Sequence, residues 1–189
     1  FFLLQACSKE SFDSKVIPLI RRLSSAAWYT GKASACALCA PLYPRCPARE
    51  QQEFLQAFAN LSKDSAPMVR RAAVAALGAL AKAAGRDNTE KILLPVFHAL
   101  CRDDQDSVRL LALEAAPVLG SLFDPAFNAK NLLPSIKLCA ADRSWRVRYM
   151  VAEQISPIAR CFAQPVINEE FVPVFVKLLR DGEAEVRTA

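Results

Sequence analysis

Apolar residues recur along this chain at spacings of one, three and three. Val16, Ile17, Ile20 and Leu23 return 38 residues later as Phe54, Leu55, Phe58 and Leu61. The same positions then repeat at steps of 39: Leu93, Leu94, Phe97, Leu100; Leu132, Leu133, Ile136, Cys139; Phe171, Val172, Phe175, Leu178. Such spacing lines one side of a helix. Between these blocks runs a second stripe of Val69, Ala73, Ala76, Leu77 and Leu80, matched by Val108, Ala112, Ala115, Ala116 and Leu119. It is matched again by Val147, Val151, Gln154, Ile155 and Ile158. Small side chains at several of these positions let neighbouring helices approach closely.

Polar punctuation keeps the same step. The turns SSAAW, SKDSA, CRDDQD, AADRS and RDGEA close each first helix, and their Asp and Ser suit turns and the N-cap that follows. Pro67 fits the first turn of a second helix, and Pro95, Pro134 and Pro173 are expected near the start of each first helix. Two helical patterns inside one fixed period predict an all-α chain, an α-solenoid of antiparallel helix hairpins. The expected frames are 1–12 (the end of a preceding repeat), 13–49, 50–87, 88–126, 127–165 and a partial 166–189. With no linker between them, they read as one continuous array.

An acidic and a basic residue hold fixed phase in every turn. Asp64, Asp103, Asp142 and Asp181 are each followed six positions later by Arg70, Arg109, Arg148 and Arg187. An exposed pair contributes only about 0–1 kcal/mol. A ladder in which each arginine reaches the aspartate of the adjacent repeat would fix the stacking angle, and the planar guanidinium suits a two-bonded contact with carboxylate. A phosphate-binding row of arginines would leave the matching aspartates unexplained. The first turn departs from the pattern: Ala26 replaces the Asp, Gly31 the Val and Lys32 the Arg, which predicts a weaker joint there.

Composition narrows the function. Five glycines and one histidine among 189 residues give no glycine-rich phosphate loop and no Ser/His/Asp set, so the chain reads as a non-enzyme with no cofactor. A net charge of +5 permits an acidic partner without demanding nucleic acid. Lys91, Lys130, Lys137 and Lys177 are scattered over different helices, which argues against a nucleic-acid-binding solenoid. No apolar run approaches the ~20 residues of a membrane span, and no signal-like block opens the chain. Beginning without Met and stopping inside a repeat, it reads as a fragment whose cut ends would fray or self-associate. Of seven cysteines, Cys139 is in phase with core leucines, and Cys36 and Cys39 form a lone CxxC on a helix. Buried thiols in a reducing compartment explain these better than zinc, so no metal is expected.

The turn ridge holds the side chains without a core explanation. Trp28 and Tyr29 sit at the first turn, and Trp145 aligns with Pro67, Asp106 and Ala184, so its position is not inherently core. From residues alone an aromatic there is either a lid over the hairpin end or an anchor for a partner. Arg71 follows the ladder arginine by one position, about 100° round the helix, and its phase-mates Leu110 and Tyr149 give it no repeated role. Met68, Asp104, Gln105, Ser144 and Arg146 complete the ridge. His98 follows the core Phe97, is expected to face outward, and is assigned no chemistry.

The 39-residue step, the Leu-Pro of the first helix and the Asp-x5-Arg phase resemble HEAT repeats. More narrowly, PMVRRAA, DDQDSVRLLALEA, DRSWRVRYMVAE, WYTGKASAC and LYPR resemble the family of scaffolding A subunits of protein phosphatase 2A, over essentially the whole chain. By order of motifs, the resemblance places the chain from the end of repeat 3 to the start of repeat 8. It implies a non-catalytic scaffold in the cytoplasm, with the nucleus as a second compartment. It implies that the turn ridge docks a regulatory B subunit, while later repeats, absent here, hold the catalytic subunit. On this reading Trp28, Tyr29 and Trp145 are anchors, and Arg71 meets an acidic or carbonyl group of the partner. The chain departs from the family where alanines precede Trp28 in place of Gly-Asp, and where Ser65 and Ala66 replace an acidic residue and a threonine. These departures bear on which regulatory class binds. The rival within the same architecture is a nuclear-transport receptor, which generally has acidic inner helices and fits a net basic chain poorly.

Overall fold

The computed structural model describes residues 6–189, and helices without strands account for the regular structure among them. These residues form two compact units, one up to Val96 and one from Phe97 onward. Residues 1–5, part of the segment expected to finish a preceding repeat, lie outside the described residues. The chain is already helical at Lys9–Ser11 and continues through a π turn, Phe12–Val16, into α1, Ile17–Ser24.

The first unit contains two hairpins, α1 with α2 (Tyr29–Leu42) and α3 (Ala48–Leu61) with α4 (Pro67–Asn88). α2 packs along α4. Phe12, Val16, Ile17, Ile20, Leu42, Cys46 and Phe54 form a buried cluster, with Cys7 and Leu38 against it. Cys36 and Cys39 are buried in this unit, and burial pushes both thiols up to about 12. Helix α4 is broken at Gly85, whose φ of 78° and ψ of 176° belong to a region that only glycine adopts readily. That one residue separates the second helix of its hairpin from the next first helix.

The division between units falls within α5 (Leu94–Leu100). The second unit continues with α6 (Asp106–Gly120), α7 (Pro125–Asn131), α8 (Leu133–Ala140), α9 (Trp145–Ala159), α10 (Val172–Leu178) and α11 (Ala184–Thr188). Helix α9 packs on α6. At the far end of these helices the buried Asn128 donates Nδ2 to the carbonyls of Gly120 and Cys161, both at 2.9 Å. Gly120 must be small, because a Cβ there would stand 2.8 Å from that of Cys161.

The predicted stripes are buried through both hairpins of the first unit and at α5, α6 and α8, with Leu23 half-buried. In α9, Gln154 and Ile155 are only half-buried. Two positions fail outright: Val172 and Phe175 are 47% and 45% exposed. Their phase-mates in α8, Leu133 and Ile136, are covered, and α8 has α10 against it; among the described residues no further first helix lies beyond α10.

As expected, the prolines stand at the starts of the first helices: Pro18, Pro95, Pro134 and Pro173 are each the second residue of α1, α5, α8 and α10. What the sequence did not predict is that helical turns run into these starts from upstream. π turns at Phe12–Val16, Thr89–Leu93 and Ile167–Phe171 each end two residues before Pro18, Pro95 and Pro173. A proline ring presses on the carbonyl four residues back, and widening the preceding turn relieves it. At Pro134 the same strain ends α7, and the helix resumes at Leu133.

Replacing Gly85 by Ala should destabilise the chain by about 1–3 kcal/mol although nothing lies within 4 Å of the added methyl. Urea unfolding against a Gly78→Ala control measures it; a midpoint unchanged by Gly85→Ala would mean the backbone there is not held at positive φ.

Candidate partner interface

Every turn after the first is built by the same two residues. Asp64, Asp103, Asp142 and Asp181 accept, through Oδ1, the backbone N–H two residues on, at 2.9, 2.9, 2.8 and 3.0 Å. These are Asx turns, not N-caps, which corrects the expected capping role. The N-cap positions proper are Trp28, Ala66, Gln105, Ser144 and Glu183, and none makes a side-chain capping bond. The arginine six residues on closes the turn from the other side. Nη1 of Arg70, Arg109, Arg148 and Arg187 donates to the carbonyl of its own aspartate at 2.9, 2.7, 2.8 and 2.6 Å.

The remaining nitrogens make the ladder. Arg109 Nε and Nη2 donate to both oxygens of Asp142 at 2.7 and 2.9 Å, and Arg148 does the same to Asp181 at 2.6 and 2.8 Å. Both rungs are largely withdrawn from water, so they are charge-assisted bonds of the stronger kind. For Asp142, burial alone would raise the carboxyl pKa, but the Arg109 fork and the Ser144 N–H outweigh it and hold it low. Asp181 is held down at about 2, chiefly by the Arg148 fork. In the first unit Lys32 takes the arginine's place and reaches Asp64 Oδ2 with one nitrogen at 2.6 Å, where arginine uses two.

This frame sets the ridge residues outward. In the first unit Trp28 is 77% exposed, Tyr29 48% and Met68 51%. Pro67 opens α4 as expected and is exposed. Arg71 is exposed, with Nη1 3.9 Å from the Met68 sulfur. In the second unit Asp104, Gln105 and Arg146 are exposed, and Asp106, Ser144 and Trp145 half-buried. Ser144 donates Oγ to Asp106 Oδ2 at 2.9 Å, Arg146 Nη1 lies 3.8 Å from that oxygen, and its guanidinium stands 5.3 Å from the centre of the Trp145 ring. The half-buried indole therefore has a cation within reach of its ring.

Sequence reasoning missed three features. The arginines' bonds to their own turn carbonyls depend on a shared atom set that spacing alone does not separate from the ladder. The Ser144–Asp106 bond joins two turns 38 residues apart. His98 does not face outward: it is half-buried, and its Nδ1 lies 2.8 Å from Oγ of the buried Ser135. Burial and the nearby Arg102 hold its pKa low.

Repeated helix hairpins, with an Asx turn and a bracing arginine at every turn after the first, form an α-solenoid of the HEAT type, and residues 54–84 match the HEAT repeat family model. Several curated homologues of this chain are named as regulatory A subunits of protein phosphatase 2A. It is 34% identical over 165 residues to the regulatory A subunit of protein phosphatase PP2A from Schizosaccharomyces pombe, covering 86% of this chain and 28% of that protein. It is 40% identical over 129 residues to the "Probable serine/threonine-protein phosphatase PP2A regulatory subunit" of Caenorhabditis elegans, 68% of this chain and 22% of that one. The chain thus spans less than a third of the length of these curated relatives. Among solved structures, Cex1p superposes with a TM-score of 0.71 at 20% identity, over 84% of this chain and 32% of its own, a likeness of fold alone.

Two outcomes test the rung. Asp142→Ala should cost roughly 3 kcal/mol, since it leaves Arg109 buried without its partner, whereas Asp104→Ala should stay within about 0.5 kcal/mol. Equal melting temperatures for the two variants would remove the rung from the account. Lowering pH should erode stability separately: a carboxyl whose folded pKa is depressed contributes above its unfolded value of 3.8, and that contribution is lost as pH falls through the folded value of about 2. Acid unfolding followed by circular dichroism should therefore steepen between these two values, and Asp181→Asn should flatten that limb.

Proposed function

We propose that this chain is part of the non-catalytic scaffold of a protein phosphatase 2A holoenzyme, and that its turn ridge docks a regulatory B subunit. The observation that carries this reading is the character of the ridge. Turns braced by Asp and Arg project Met68 and Arg71 from one unit and Trp145 and Arg146 from the other, and Trp28 and Tyr29 stand at the neutral first turn. Exposed aromatic and arginine side chains on a rigid frame are what interface hot spots are made of. In this reading the frames 13–49, 50–87, 88–126 and 127–165 are successive repeats, and Asp104, Gln105, Asp106 and Ser144 supply the polar surround. The catalytic subunit is held by repeats outside this sequence, and the scaffold works in the cytoplasm and nucleus. Homology to proteins named as phosphatase 2A regulatory subunits supports the assembly.

The test uses purified B subunits of each class, captured on the immobilised chain. Arg71→Glu and Trp145→Ala should each weaken retention by about tenfold or more while leaving helix content unchanged. Retention of every class at the parental level in both variants would remove the ridge from the interface.

A further inference from the structure

The ridge of the first unit does not end at the turns. Tyr29, Ala33, Ala37 and Ala40 follow one another at four- and three-residue steps along α2, and Met68, Ala72, Ala75 and Ala79 do so along α4. Each row therefore runs down a single helix face from an exposed large apolar side chain. Between the two helices lies an open groove of about 620 Å³, lined by Ala37, Ala40, Pro41, Ala72, Ala75 and Ala79. Ala37, Ala75 and Ala79 are exposed on its walls.

Charge around the groove has one sign. No Asp or Glu occurs from Ser14 to Arg49 or from Ser65 to Arg86, so neither α2 nor the α4 segment before Gly85 carries an acidic group. Arg71 stands one turn before Ala75 and Lys82 three residues after Ala79, both exposed at the groove's edge. Lys32, by contrast, is already occupied by Asp64.

We propose that this groove is a docking site for an amphipathic helix of a protein partner, one with an apolar face and acidic flanks. Methyl-lined walls admit a helix at the short end of the 8–10 Å range of interaxial distances. The wall from Ala72 to Ala79 runs about 10 Å, two helical turns, and the flanking side chains from Met68 to Lys82 span about 21 Å, roughly four turns. Tyr29 and Met68 close one end as apolar anchors, Met being adaptable to varied side chains, and Arg71 and Lys82 pair with the acidic flank. An extended chain would leave its backbone polar groups against methyls with nothing to bond, whereas a helix satisfies them internally. The groove shares Tyr29, Met68 and Arg71 with the turn ridge, but its alanine walls lie along the helices and the second unit takes no part in it, so variants at Ala75 and Ala79 test it apart from the ridge.

Two synthetic helices of the same length and the same Leu/Ala face, one flanked by Glu and one by Lys, are titrated against the whole chain by fluorescence anisotropy. The Glu helix should bind, weaken as salt is raised, and bind at least about tenfold more tightly than the Lys helix. Ala75→Glu and Ala79→Glu, at exposed sites that leave folding intact, should each reduce that binding at least tenfold, while Trp145→Ala should not change it. Equal binding of the two helices, no binding of the Glu helix, or binding insensitive to Ala75→Glu overturns the proposal. Tighter binding of single-stranded RNA than of the Glu helix at the same sites would assign the groove to a nucleic acid and overturn it as well.

Discussion

In the second unit, one guanidinium per turn holds successive repeats in register. Arg109 and Arg148 each spend one nitrogen on the carbonyl of their own aspartate and two on the carboxylate of the next. Taking such a group out of water is costly, and only a full set of bonds offsets the loss. Arginine can supply that set because its donors lie in one plane, with Nη1 pointing away from the Nε–Nη2 edge. The same aspartate accepts its own backbone N–H through Oδ1 and so sets the angle at which the turn presents its carboxylate. Turn conformation and repeat stacking are thus one constraint, enforced by two residues.

That economy explains why the ridge can vary. A helix start usually depends on its N-cap side chain. Here the Asx turn and the arginine stiffen the approach, and the N-cap positions hold Trp28, Ala66, Gln105, Ser144 and Glu183 without a capping bond from any of them. Residues at these positions and the next are free to serve another purpose. In the second unit they form a charged mesh of Asp106, Ser144 and Arg146 around a half-open indole. In the first unit they are apolar and cationic, and they lead into a groove walled by alanines.

Much of this was legible because a period of 39 residues repeats both stripes and both charges, so each position is read several times over. Burial of Phe97 or Ile136 and pairing of Arg148 with Asp181 follow from phase alone. What phase could not deliver is anything decided by local backbone strain or by one partner. The π turns arise where a proline meets a helix already begun upstream, and the helix start is the least marked boundary in the sequence. His98 turns toward Ser135 because a half-buried imidazole needs a partner, and neither residue recurs at its phase. Val172 and Phe175 have the right pattern and still lie exposed, since a stripe is buried only where a neighbouring helix covers it.

The first turn departs from the repeat at three neighbouring positions. Ala26, Gly31 and Lys32 each break the repeat, and in sequence they look independent. Ala26 offers no carboxylate for an Asx turn, while its N–H still donates to the Leu23 carbonyl, as those of the corresponding aspartates do to Leu61, Leu100, Cys139 and Leu178. The Ala26 methyl lies against the helix start, where a Cβ on residue 31 would stand 2.8 Å away, too close for any side chain. Valine is therefore excluded and glycine required. With no aspartate carbonyl framed to receive a third nitrogen, the fork of an arginine has less to bind, and a lysine that reaches Asp64 with one nitrogen suffices. Ala26 and Gly31 are thus coupled by direct contact, and Lys32 reaches the next turn with a single bond. Trp28 and Tyr29 stand exposed at this neutral turn.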